Sequence, residues 1–118
     1  MNTKNNTLAI SVIIPTFNVE AYIGKCLESL INQTFGEFEV ICVDDGSTDR
    51  TTELIKEYAV KDTRISLLEM PHCGLAGNMR NEGIQHARGK YLLFLDGDDF
   101  FEPEMLEHSL KKIREVEA

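Results

Sequence analysis

Five aspartates stand in two short acidic runs, Asp44-Asp45-Gly46-Ser47 and Asp96-Gly97-Asp98-Asp99. Carboxylates separated by one residue in a turn can both face one hard cation. Mg2+ or Mn2+, with carboxylate, water and phosphate ligands, suits that pattern. Without a cation the anions repel one another, which raises some of their pKa values and would also repel a diphosphate. The same residue types are ordinary in turns and helix caps, so either run alone reads as a turn. Both runs, however, follow strand-like segments predicted to end at one edge, and that pairing favours a site. Arg80 is one of the few basic residues placed to meet phosphate there. Asp49 reads instead as a helix cap or first-turn acid. His72 and Cys73 adjoin in a loop without metal-ligand spacing, and the pair is expected to have no role. His86 and His108 are expected on helix surfaces, and Phe100 and Phe101 in packing.

The acidic runs need elements to hold them. Leu8 to Ile14 is a β-rich run closed by Pro15, hence a strand. Apolar residues at 22, 23, 26, 27, 30 and 31 have helical spacing, with Asn18 as the expected N-cap. Phe38 to Val43 is a second strand, and a helix bearing Leu54, Ile55, Tyr58 and Ala59 follows. Arg64 to Glu69 reads as the third strand and Leu75 to Ala87 as a helix stopped by Gly89 at its C′ position. Tyr91 to Leu95 is the fourth strand, and Pro103 starts a last helix with Leu106, Leu110 and Ile113 on one face. The alternation predicts an α/β fold whose parallel sheet is covered on both faces. Parallel strands with right-handed crossovers deliver their following residues to one edge. Pro15-Thr16-Phe17-Asn18 and the two acidic runs would meet there, where open α/β sheets bind ligands.

Composition narrows the classes. A chain of 118 residues has the size of one domain, and its net charge of −8 argues against nucleic acid as a partner. No apolar run has the length of a bilayer span. Met1 to Thr7 is polar and Asn-rich, which predicts a disordered start without a signal peptide and hence a cytoplasmic location. The three cysteines lack CxxC spacing; Cys26 and Cys42 read as buried thiols and Cys73 as a loop thiol. There is no GxxxxGK[ST] and no GxGxxG after the first strand, so neither a P-loop nor a dinucleotide fingerprint is present.

The segments SVIIPTFN, INQTF, FEVICVDDGSTDRT and GLAGNMRNEGIQHARGKYLLFLDGDD, with the proline-initiated helix after them, resemble family 2 glycosyltransferases. The likeness runs from about Ala9 to Leu110 in order and spacing. It departs at Phe17, where tyrosine is frequent, and at Met79, where alanine often precedes the Arg-Asn pair. The resemblance implies a GT-A fold: three α/β/α layers, a mostly parallel sheet and strand order 3-2-1-4. It implies that Pro15, Thr16 and Phe17 line a base pocket, that Asp45 accepts the N3–H of a uracil-like base, and that Asp96 sits near ribose and metal. Asp98 would ligate Mn2+ or Mg2+ bridging the phosphates, and Arg80 would help neutralise them. The implied reaction is inverting transfer of a sugar from a nucleotide diphosphate, most simply a UDP-sugar, to a hydroxyl of a glycan or lipid-linked acceptor.

The family's general base lies well after the Asp-x-Asp segment, so none of the catalytic residues is expected among these 118. The chain therefore reads as the donor-binding part of a longer enzyme, inactive in transfer by itself and peripheral to a membrane in its full-length form. An unpaired fourth strand would offer an edge for a homodimer. A receiver-type magnesium domain is a rival, but its acidic pair follows the first strand, where this chain has PTFN. A second rival is a module that binds a nucleotide sugar without turning it over.

Overall fold

The computed structural model describes residues 8–117, so the expected disorder of Met1 to Thr7 lies outside the described residues. The chain runs β1 (Leu8–Thr16), α1 (Ile23–Ile31), β2 (Phe38–Asp45), α2 (Thr51–Lys61), β3 (Ile65–Met70), α3 (Ala76–His86), β4 (Gly89–Phe94) and α4 (Met105–Glu117). The strands form one parallel sheet in the order β3-β2-β1-β4. This is the α/β fold that the alternation predicts, in the strand order that the resemblance implies.

Alternation along β1 sorts the two faces. Ile10, Val12 and Ile14 join Val40 and Cys42 of β2 under α1, α2 and α4, through Ile23, Leu27, Leu30, Ile55, Leu106 and Leu110. Ile13, Ile41 and Val43 point to the other face, where Met79 of α3 covers them. Two-sided burial explains why β1 and β2 read as runs that are apolar apart from Ser11 and Glu39. β4 departs from the expectation of cover on both faces. Tyr91 and Leu93 pack on the α1/α4 side, but Leu92 and Phe94 are 37% and 45% exposed. The physical reason is that α3 packs over β1 and β2, leaving the outer strand beyond its reach.

Gly89 is not a helix C′ residue. Ala87, in extended conformation, caps α3, and Gly89 opens β4. A Cβ there would lie 2.6 Å from Ile10 C and Ser11 N, so glycine is needed for the close approach of β4 to β1. The same corner holds a buried polar network. Glu39 accepts the Ser11 hydroxyl and the Arg88 N–H, both at 2.6 Å, and Gly89 N–H donates to Ser11 Oγ at 2.8 Å. These bonds fix the start of the strand whose far end carries the second acidic run.

Candidate functional site

The C-terminal ends of β1, β2 and β4 meet at one edge, where Thr16 is paired with Asp44 and Ile13 with Phe94. A cavity of about 300 Å³ opens there, lined by Pro15, Thr16, Phe17, Asp45, His72, Gly74, Ala76, Met79 and Asp96. Of the seven sequence-predicted site residues, five line this cavity. Arg80 lies on α3 with Nη2 3.7 Å from Asp96 Oδ1. Asp98 belongs to an exposed group with Asp96 and Asp99, whose carboxylate oxygens lie within 4.8 Å of one another.

The five aspartates do not act alike. Asp44 is buried and fully engaged: Oδ1 accepts the Thr16 hydroxyl at 2.7 Å and the Ser47 hydroxyl at 2.6 Å, and Oδ2 accepts the Ser47 N–H at 2.7 Å. It ties the ends of β1 and β2 together. Asp45 accepts the N–H of Cys73 at 2.7 Å and that of Gly74 at 2.9 Å, one on each oxygen. The Cys73 N–H, more than any other group, holds its carboxyl below the usual carboxylate range, with Gly74 and His72 assisting against the effect of burial. The second run stays open to solvent as a turn closed by Asp99 N–H on Asp96 O at 3.0 Å. Gly97 is packed under it, since a Cβ there would lie 3.0 Å from Val19 and 3.2 Å from Thr16. Beneath the turn, burial first and the carboxylates of Asp99, Asp98 and Asp96 next push the Cys26 thiol up to about 12.

Asn18 is not the N-cap of α1; Tyr22 holds that position without a side-chain cap. Asn18 instead adopts φ +51, and its Oδ1 accepts the N–H of Thr48 at 2.8 Å and of Asp49 at 3.3 Å. It thereby clamps the loop after β1 to the loop after β2. Asp49 accepts the N–H of Thr51 at 2.9 Å and the N–H of Glu20 at 3.1 Å, so it acts at the start of α2 and also joins that clamp. Phe101 packs on the core as expected, whereas Phe100 is exposed beneath the Lys25 ammonium.

Sequence reasoning set His72 and Cys73 apart from the site, whereas the structure brings His72 to the cavity and the Cys73 N–H to Asp45. His72 lines the cavity, its ring stacked on Phe17 with centroids 4.6 Å apart, and its Nδ1 lies 2.9 Å from the Asp45 carbonyl oxygen. No ligand spacing marked these residues, because their partners lie some 28 positions earlier in the chain. The one available signal was their place after a strand feeding the same edge.

A parallel α/β sheet with a cavity at its strand ends has the layout of α/β domains that bind ligands at that edge. A family model for glycosyl transferase family 2 matches residues 11–118, and the chain belongs to that family. It is 43% identical over 109 residues to glycosyltransferase GlyA of Streptococcus pneumoniae, covering 92% of this chain and 16% of that protein. The crystal structure of S. aureus TarS 1-349 in complex with UDP-GlcNAc is similar at TM-score 0.85 and 37% identity, over 92% of this chain and 32% of that one. The mannosyltransferase PcManGT from Pyrobaculum calidifontis, in complex with GDP-Man and Mn2+, is similar at TM-score 0.73 and 26% identity, over 78% and 28%. The chain thus spans about a third or less of the proteins it matches here, and its fold is of the GT-A type.

Proposed function

We propose that this chain, acting as a single domain, binds a UDP-sugar at the edge formed by β1, β2 and β4 for inverting transfer to an acceptor hydroxyl. The observation that carries the reading is the position of Asp96, which both lines the cavity and belongs to the carboxylate group with Asp98 and Asp99. A base and a diphosphate bound across that edge would place the phosphates beside the acids. The TarS complex with UDP-GlcNAc supports the donor class, and the Mn2+ in the PcManGT complex supports a divalent ion.

The donor set fits such an ion. Three exposed carboxylates supply hard oxygen ligands, and among the described residues Asp98 and Asp99 have no ion-pair partner. Asp98, with Asp96 beside it, would hold Mn2+ or Mg2+, which when bound supplies positive charge to the leaving diphosphate. Pro15, Thr16 and Phe17 line the cavity where the base would sit, and Asp45, in the same lining, would accept the N3–H of its uracil. Arg80 provides a second positive charge near Asp96 for the phosphates. The general base and the acceptor, a glycan or a lipid-linked saccharide, belong to the longer protein. We place that protein in the cytoplasm, peripheral to the membrane, with β4 as a homodimer edge.

Calorimetry of UDP binding with Mn2+ and with chelator tests the reading. UDP is expected to bind only with the ion, and Asp98→Asn to weaken that binding most. Equal affinity after chelation would sink the metal-dependent reading.

A further inference from the structure

We propose that Ser29 and Gln33 are positioning residues of the acidic turn, holding its exit so that Asp98 and Asp99 stay where an ion and a diphosphate would meet them. The proposal deepens the reading of that turn as the diphosphate site and rests on it.

Between the end of β4 at Phe94 and the start of α4 at Met105 the chain has no strand or helix of its own. Such a segment depends on its neighbours for a fixed path, because few of its backbone groups pair within it. Its entry is held by the sheet, where the Leu95 N–H donates to Ile13 O at 3.1 Å. The turn itself closes through the Asp99 N–H on Asp96 O. Its exit is held from the side of α1. Cys26 and Ser29 lie three residues apart on one face of that helix, and Gln33 stands just past its end. The Cys26 thiol donates to Asp96 O at 3.8 Å, Ser29 Oγ accepts the Phe101 N–H at 3.1 Å, and Gln33 Nε2 donates to Glu102 O at 2.7 Å. The order of these side chains follows the order of the backbone groups they hold. Phe101 and Glu102 come two and three residues after Asp99, so a shift at the exit passes to the carboxylates through a short stretch of backbone.

Gln33 belongs to INQTF, none of whose residues lines the cavity. Its amide orientation follows from its partners. Nε2 faces two carbonyl oxygens, Glu102 O and, at 3.0 Å, Ser29 O, which only accept. Oε1 lies 2.9 Å from the Leu106 N–H, which only donates. The two ends of the amide therefore have separate tasks. Oε1 satisfies an N–H in the first turn of α4, where intrahelical partners are lacking. Nε2 holds the exit of the acidic turn.

Gln33→Glu separates those tasks. Its carboxylate still accepts the Leu106 N–H but sets an acceptor, in place of a donor, against Glu102 O. Calorimetry measures UDP binding in the presence of Mn2+, and 15N relaxation measures backbone order in the ligand-free chain. Gln33→Glu is expected to weaken UDP binding roughly tenfold, in the range seen when groups that orient metal ligands are lost, and to lower the order parameters of Asp98 and Asp99. Thr34→Val is the comparison. It removes the bond from Thr34 Oγ1 to Glu107 on α4 but keeps the Thr34 N–H on Pro103 O, so affinity and order at the turn should match the unsubstituted chain. Circular dichroism checks that each variant is folded. Should Gln33→Glu not fold, Ser29→Ala, which leaves the Phe101 N–H without its acceptor, decides by the same two readings. A folded variant that keeps its UDP affinity, or loses it with the turn as ordered as before, would overturn the proposal, as would an equal loss in Thr34→Val. Failure of the unsubstituted chain to bind UDP with Mn2+ would instead overturn the diphosphate reading, and this proposal with it.

Discussion

Gly89→Ala places a methyl group against the backbone of β1. Its carbon would stand 2.6 Å from Ile10 C, Ser11 N and Ser11 Oγ, where ordinary contacts between carbon atoms are about 3.5–4.0 Å. The obstacle is mostly main chain, itself paired to β2 through Ile10 with Phe38 and Ser11 with Glu39, so it cannot swing aside as a side chain would. β4 must instead move away by about 1 Å, at the expense of the Gly89 N–H bond to Ser11. Overpacking of this kind costs about 1–3 kcal/mol. Alanine in place of glycine also restricts the unfolded chain, returning roughly 0.4–1 kcal/mol. The net expectation is a loss of about 1–2 kcal/mol, or roughly 3–8 °C in Tm for a chain of this size. Urea denaturation followed by circular dichroism measures it. Gly77→Ala is the control. Gly77 lies in the first turn of α3 with open space around its Cα, so alanine there should be neutral or stabilise by up to about 1 kcal/mol. A Gly89→Ala variant as stable as the unsubstituted chain, or one matched by Gly77→Ala, would refute the close-approach argument.

In the folded chain one thiol, Cys73, should react with a disulfide reagent at pH 8, and Cys26 and Cys42 only after denaturation; three fast-reacting thiols would contradict the burial. Because burial pushes the Cys26 thiol up to about 12, the folded state keeps a proton that the unfolded chain gives up. Stability should therefore fall as pH rises from about 9 toward 12, and Cys26→Ala should flatten that decline in pH-dependent urea titrations. Asp45 has the opposite sign. Its lowered pKa stabilises the fold above the unfolded value and ceases to do so as pH falls through the folded one. The stability difference between the unsubstituted chain and Asp45→Asn should be level from neutrality to about pH 4 and narrow below it. If β4 joins two copies, light scattering should show a concentration-dependent dimer weakened by Leu92→Lys. Leu92 is the position to test because Leu93 packs on the core, where lysine would unfold the chain; a monomer at every concentration would reject the edge.

Local pattern alone determined much of this protein. Runs at Leu8 to Ile14 and Phe38 to Val43, apolar except for Ser11 and Glu39, are satisfied by burial on both faces, so they announced β1 and β2 of a parallel sheet. The helical spacing of Ile23, Cys26, Leu27 and Leu30 likewise announced α1. Since parallel strands share a polarity, the meeting of Pro15, Thr16, Phe17, Asp45 and Asp96 at one edge followed from the order of elements. Contacts between distant segments decided the rest. Asn18 and Gly89 carry residue types that suit helix ends, and only the approach of another strand or loop shows that one is a clamp and the other a point of closest packing. Asp44 and Asp45 are adjacent and chemically identical. Strand geometry turns them to opposite faces, so one closes a turn on Thr16 and Ser47 while the other reaches across to Cys73 and Gly74. His72 gained its place beside Phe17 in the same way, because a side chain's partners across a sheet edge are set by strand order and register, which no local spacing encodes.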